Sequence, residues 1–185
     1  YLKENYLEKL LSGEYAGATA LSNAVKYLSD LEELNVYIIE EKGQFYLKGR
    51  LPWVTNARRN RFLTIFVAGF ADDPSKSYVV AVPSDAENFS RSEDLEFVSL
   101  QGGNTAALTF NRVPLKEEWI LSKNAKEFLT QNRPAFLGYQ FGLAFGLAER
   151  SLSEVEKELG KRRVLTDEWQ YQVEQLDAIR QALYQ

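Results

Sequence analysis

The chain has no cysteine, no histidine and no methionine among its 185 residues. Without cysteine there is no disulfide framework, no thiolate nucleophile and no cysteine metal site. Without histidine, Ser-His-Asp and Cys-His catalysis drop out, together with every histidine-containing metal site. The missing methionine, with Tyr1 as first residue, reads as a piece of a longer polypeptide. Long hydrophobic runs are missing too. The longest mostly apolar stretch, Ala135 to Ala148, is too short to span a bilayer and holds Gln140, and no secretory signal is visible. The expectation is a cytoplasmic protein with no membrane span. Excess positive charge is also lacking: the net charge of −4 argues against a nucleic-acid binder. The basic clusters Arg58-Arg59-Asn60-Arg61 and Lys161-Arg162-Arg163 read as solvated loops or helix ends.

What remains is ordinary globular composition, 45% hydrophobic and 26% charged, in a chain long enough to bury a core. Residues 1–12 read as the end of an N-terminal helical region. Leu2, Tyr6, Leu7, Leu10 and Leu11 form a helical stripe, and Gly13 stands just past it as a stop. Gly13 to Asn23 is rich in small residues but has no phosphate-loop or dinucleotide-binding spacing. Short strands follow, at Val36–Ile39, Phe62–Phe70, Tyr78–Val82, Leu95–Leu100 and Ala106–Phe110. Residues 13–121 are therefore expected to form a central β domain, a small antiparallel barrel or sandwich.

Past Pro114 the period becomes helical, and residues 122–185 read as part of a C-terminal α-helical bundle. A helix beginning at Ala125 is interrupted or restarted by Pro134. The long amphipathic helix from Ala135 to Leu159 carries Gly138, Gly142 and Gly146 on one face, a stripe suited to close helix packing. Thr166 caps a last helix with Trp169, Val173, Leu176 and Leu183 on one side. The fold class is α+β and multi-domain.

The stretch from Phe45 to Ala57 organises the β region. Locally it reads as a hairpin, with a tight turn at Gly49-Arg50 and with Trp53, Thr55 and Asn56 at its mouth. Taken alone, Trp53 is a core residue and Thr55-Asn56 a turn.

Four markers in order alter that reading. Leu47-Lys48-Gly49-Arg50-Leu51-Pro52-Trp53-Val54-Thr55-Asn56-Ala57 is similar to the N-G-x-K-x-W-I-T-N-A stretch of the acyl-CoA dehydrogenase family. Leu10-Leu11-Ser12-Gly13-Glu14 resembles the family's lead into its β domain, and Val80 to Asp85 its next marker. Gln101-Gly102-Gly103-Asn104-Thr105 with Leu108 to Pro114 resembles the run that ends F-x-x-V-x-V-P.

The resemblance implies FAD held between the β domain and the C-terminal helices, with Trp53 and Thr55 against the flavin ring. Thr19 matches the threonine of the family's T-E-P-x-x-G-S-D segment, and Ser22 its serine across a gap. Arg162 or Arg163 sits near where a family arginine reaches the FAD of a neighbouring subunit; Arg163 is taken as the candidate. Three departures stand out: Ala20 replaces the acidic residue, Leu21-Ser22-Asn23-Ala24 replaces the Gly-Ser-Asp run, and Val164-Leu165 stands where a Phe-Gly is expected shortly after the family arginine.

No catalytic base is assigned, because Glu149, Glu154 and Glu156 on the long helix read as surface residues. The implied reaction is α,β-dehydrogenation of an acyl-CoA thioester by a homo-oligomer. Its electron acceptor would be one such as an electron-transfer flavoprotein. The alternatives are a flavin-dependent monooxygenase of the same superfamily and a non-catalytic scaffold that has lost the flavin.

Overall fold

The computed structural model describes residues 1–184 and divides into two compact units, Tyr1–Leu129 and the residues from Thr130 onward. In the first, helix α1 (Leu2–Leu11) leads into strand β1 (Ala16–Thr19), helix α2 (Ser22–Tyr27), and strands β2 (Val36–Glu41), β3 (Gln44–Val54), β4 (Phe62–Phe70) and β5 (Ser77–Pro83). Strands β6 (Phe89–Arg91), β7 (Ala106–Pro114) and β8 (Ile120–Ser122) complete the sheet. Its order is β6-β7-β3-β2-β4-β5-β8, with β1 added to β4.

The expected antiparallel sheet is antiparallel in most of its pairings but mixed at β4. Strands β1 and β2 both run parallel to β4 and share one of its edges, β1 along Phe62–Ile65 and β2 at Gly69–Phe70. Strand β5 takes the other edge, antiparallel. Hydrogen-bonded along both edges and covered on both faces, β4 needs apolar residues at nearly every position, which is why its sequence is a near-continuous apolar run.

Two apolar clusters lie on either side of this strand. One holds Phe62, Phe66, Phe110, Leu47, Leu51, Val54 and Trp119. The other sets Val67 and Val79 against Ala24, Leu34, Ala125 and Leu129, and so attaches α2 to the sheet. Helix α1 is anchored by Tyr6, whose ring meets Tyr15 edge-on with centroids 5.5 Å apart. Burial, with the nearby Tyr1 and Asp85, pushes the Tyr6 phenol up to about 12.

Two local expectations fail for lack of a partner strand or a turn. Strand β3 runs unbroken through Gly49-Arg50, and the hairpin turn lies earlier, at Lys42-Gly43 between β2 and β3. Gly49 is required for a different reason. At φ +143° a Cβ there would sit 2.1 Å from the Asn35 carbonyl oxygen, so glycine lets the backbone of Asn35-Val36 come close. Leu95–Leu100 is a loop and not a strand, with Phe97, Val98 and Leu100 exposed.

Helix α3 (Ala125–Glu158) runs continuously through Pro134, and helix α4 (Thr166–Tyr184) follows a one-turn 3-10 helix at Arg163–Leu165. Proline has no N–H to donate, yet the helix carries across it. In the second unit α3 and α4 form an antiparallel pair. Trp169 Nε1 donates to the Leu152 carbonyl at 3.0 Å, and Arg180 pairs with Glu149 while lying over the Phe145 ring. Among the described residues, nothing lies within 4 Å of where a Cβ would stand on Gly138, Gly142 or Gly146, so the glycine stripe carries no close packing between α3 and α4. Among the described residues, no helix is long and apolar enough to cross a membrane.

Candidate functional site

Alternation along β3 would send Leu47, Gly49, Leu51 and Trp53 to one face, and Trp53 into the core. The pairing with β7 breaks that count. Leu51 faces Leu108 and Val54 faces Ala106, so Pro52 and Trp53 together oppose the single residue Ala107. This β-bulge turns Pro52 and Trp53 outward and restores Val54 to the core. Proline suits a bulge because it has no N–H to offer the ladder. Trp53 is consequently 72% exposed. Leaving that much indole in water forgoes roughly 3–5 kcal/mol of apolar burial. Such a side chain is placed for a ligand or a covering surface.

The residues after Trp53 are held by their backbone. Asn56 adopts φ +61°; its N–H donates to the Gly103 carbonyl at 2.8 Å and its Nδ2 donates to the Gly17 carbonyl at 3.0 Å. That one residue ties the end of β3 to β1 and to the loop before β7. Thr105 Oγ1 donates to Thr55 Oγ1 at 3.2 Å across the same junction. Leu100 and Asn104 are also left-handed, at φ +61° and +48°. Positive-φ residues other than glycine concentrate where a loop is held in one shape, often at a functional site.

Two clefts meet at Trp53. One, of about 250 Å³, is lined by Ser22, Asn23, Lys26, Glu32, Asn35 and Trp53 among others. Its floor is a closed polar network. The buried Asn23 donates through Nδ2 to Glu32 at 2.9 Å and to the Glu33 carbonyl at 2.8 Å, while its Oδ1 accepts from the Asn35 N–H at 2.9 Å. Lys26 adds an ion pair to Glu32 at 3.2 Å. The Asn23 amide, and after it Lys26, holds the Glu32 carboxyl below its ordinary value. A carboxylate held ionised in this way is a weak proton acceptor. The other cleft, of about 650 Å³, has apolar walls of Trp53, Phe97, Val98 and Leu100, and carries the Thr55 and Thr105 hydroxyls beside Gly102-Gly103.

The structure brings Ser22, Trp53 and Thr55 of the candidate residues together at these clefts. Thr19 is exposed at the end of β1, on the same outward face as Gly17, and lines neither cleft. Arg163 is exposed on the short helix between α3 and α4, in the other unit. The long-helix carboxylates are in surface pairs, Glu149 with Arg180 and Glu154 with Arg150 and Lys157. Thr105, Phe97, Asn23, Lys26, Glu32 and Asn35 are among the cleft residues that sequence reasoning did not single out. The signal for Thr105 was its place in the Gly102-Gly103-Asn104-Thr105 marker. Phe97 and its neighbours were hidden by being read as a strand. Among the described residues, no cluster of acidic side chains could hold a metal ion.

An isovaleryl-CoA dehydrogenase, mitochondrial, of Pongo abelii is 35% identical over 128 residues, covering 67% of this chain and 30% of the relative. The chain belongs to the acyl-CoA dehydrogenase family. The Arabidopsis thaliana isovaleryl-CoA dehydrogenase is 30% identical over 125 residues, again 67% of this chain and 30% of the relative. Among solved structures, the butyryl-CoA dehydrogenase of Megasphaera elsdenii superposes with a TM-score of 0.81 at 19% identity, covering 98% of this chain and 51% of that one. At that identity the likeness establishes the acyl-CoA dehydrogenase fold. No protein-family model matches the chain. The chain spans under a third of the curated relatives it matches and about half of the butyryl-CoA dehydrogenase chain.

Proposed function

We propose that this chain is the flavin-holding middle of an acyl-CoA dehydrogenase-like oxidoreductase, with residues 13–121 as its β domain. The observation that carries the proposal is the outward-turned indole of Trp53 beside two hydroxyls at the mouth of an apolar cleft. The donor set fits FAD. An isoalloxazine ring has two flat apolar faces and a polar edge that takes hydrogen bonds. Trp53 offers a flat wall, and Thr55 a hydroxyl able to donate or accept at that edge. When bound, the flavin would accept a hydride from the β-carbon of an acyl thioester.

This chain's residues would hold and orient. The bulge at Pro52-Trp53 sets the indole plane, and Asn56 fixes Thr55 against the loop before β7. Phe97, Val98 and Leu100 would keep water from the ring. Ser22 stands on the opposite side of Trp53, suited to a more polar part of the cofactor. Thr19 and Arg163 stay in the proposal as family positions, Arg163 toward a neighbouring copy in a homo-oligomer. The α-proton would go to a carboxylate outside these clefts, since the Asn23 amide and Lys26 hold the Glu32 carboxyl low and make it a weak proton acceptor. An electron-transfer flavoprotein as acceptor and a cytoplasmic location complete the reading.

The non-catalytic alternative is favoured by one observation. Ala20, where an acidic residue is expected, lines the Ser22 cleft with only a buried methyl group, so no carboxylate meets a ligand there. Absorbance of the purified full-length protein decides between the two. A yellow protein bleached anaerobically by an acyl-CoA is the expected result. A colourless protein that cannot be reconstituted with FAD would overturn the enzymatic reading.

A further inference from the structure

Thr55 stands just past the end of β3 and Thr105 just before the start of β7, and they meet where those strands are bulged against each other. Val54 faces Ala106 across the ladder, and the Asn56 N–H holds the Gly103 carbonyl at 2.8 Å. The hydroxyl oxygens are thereby set 3.2 Å apart at the cleft wall. Among the described residues neither hydroxyl has another protein hydrogen-bond partner. A hydroxyl has one hydrogen and two lone pairs, so a pair of them can run in either direction. When Thr105 donates to Thr55, the Thr55 hydrogen is free for the cleft. When the pair rotates and Thr55 donates to Thr105, Thr55 is free to accept from the cleft.

We propose that this pair is a two-hydroxyl relay that reverses direction with the redox state of the bound flavin, which makes Thr105 a positioning residue. The proposal rests on the flavin reading above. Oxidised flavin presents a bare ring nitrogen, an acceptor, at its reactive edge; the reduced ring carries N–H there, a donor. A lone Thr55 can serve either state, but only by leaving its own hydrogen without a protein acceptor in the reduced one. Thr105 supplies that acceptor and turns its own hydrogen to solvent, which its half-buried position at the cleft wall allows. Neither threonine gains or loses a proton: both hydroxyls rotate, while the electrons and hydrogen that reduce the ring come from the reductant. The relay favours the reduced state relative to a site with Thr55 alone.

The test is an anaerobic reductive titration of the FAD-loaded full-length protein, followed by absorbance. Dithionite supplies the two electrons and water the proton. Thr105→Val keeps the shape and removes the hydroxyl; Thr105→Ser keeps the hydroxyl. The expected result is that Thr105→Val shifts the reduction equilibrium about tenfold against the reduced flavin, which for a two-electron couple is about 30 mV more negative. Thr105→Ser stays at the wild-type potential. A Thr105→Val potential equal to wild type overturns the relay, as does a Thr105→Ser shift as large as that of valine. Should the valine variant fail to fold or to take up FAD, Thr105→Ala is read by the same criterion. Wild-type protein that binds no FAD overturns the flavin reading itself, whereas wild type that binds FAD beside an unshifted variant overturns only the relay.

Discussion

The two sides of Trp53 are built on opposite principles. Toward Ser22 and Asn23 the cleft is closed by a network in which each polar atom of the Asn23 amide has a protein partner. Toward Thr55 and Phe97 the wall is exposed hydrocarbon with two hydroxyls that, among the described residues, bond to each other alone. A satisfied network is stiff and offers little to a ligand, because any new partner must displace an existing one. An apolar wall with a free donor gains from being covered. The flavin proposal accordingly puts the ring on the Thr55 side and a more polar part of the cofactor beside the stiff Asn23 network, with the indole shared between them.

The largest way to break this division is to unseat the stiff side. Gly49→Ala would drive a Cβ into the Asn35 carbonyl and unseat the backbone that Asn23 is bonded to. A loss of more than about 3 kcal/mol is expected from denaturant unfolding, since the clash is with backbone at a positive φ. Unchanged stability would mean that Asn35-Val36 is not seated against β3.

Trp53→Ala tests the other side with the opposite signature. FAD affinity should fall about 10–100-fold, the loss of a stacking partner worth ~1–3 kcal/mol. Unfolding stability should move by no more than about 0.5 kcal/mol, because the side chain is mostly in water. The reverse result, lost stability with FAD uptake intact, would return Trp53 to a structural role.

Asn23→Asp is a finer probe of the stiff side. The aspartate cannot donate to Glu32 or to the Glu33 carbonyl, and it places a second carboxylate beside the first. In the wild type the Glu32 carboxyl is held low by Asn23. Its stabilisation is therefore present above the ordinary carboxylate range and lost as pH falls through the lowered value. In the variant, two like charges reverse the sign: Tm drops by several degrees at neutral pH and recovers as pH falls and one carboxyl takes a proton. Parallel pH profiles for the two proteins would contradict the network. The smallest effect belongs to Lys26→Gln. Its ion pair with Glu32 is solvent-exposed, so Tm should barely move. A large drop would make Lys26 part of the support.

Strands β4 and β5 are legible in the sequence because a strand largely covered on both faces is apolar along most of its length, and β2 by its apolar start, which alternates buried and half-buried before two exposed glutamates. Leu95–Leu100 has the same local look and is a loop, since composition cannot say whether a neighbouring strand is there to take its hydrogen bonds. Gly49 was recognisable as a special position but not for the right reason; the approach of Asn35 is a contact between segments fourteen residues apart. Trp53, Thr55 and Ser22 were singled out through ordered family markers. Thr105 and Asn23 stood in the quoted stretches without a role, because their roles come from partners fifty and nine residues away along the chain.

By itself the sequence determined the α+β composition, the strands rich enough in apolar residues to be covered on both faces, and the family to which the chain belongs. It also left no thiol or imidazole among these 185 residues. Only the tertiary structure decided which way Trp53 points. Two-residue periodicity sends it inward, and a single extra residue opposite Ala107 sends it out. A register is a property of two strands together, so no count along one of them can contain it.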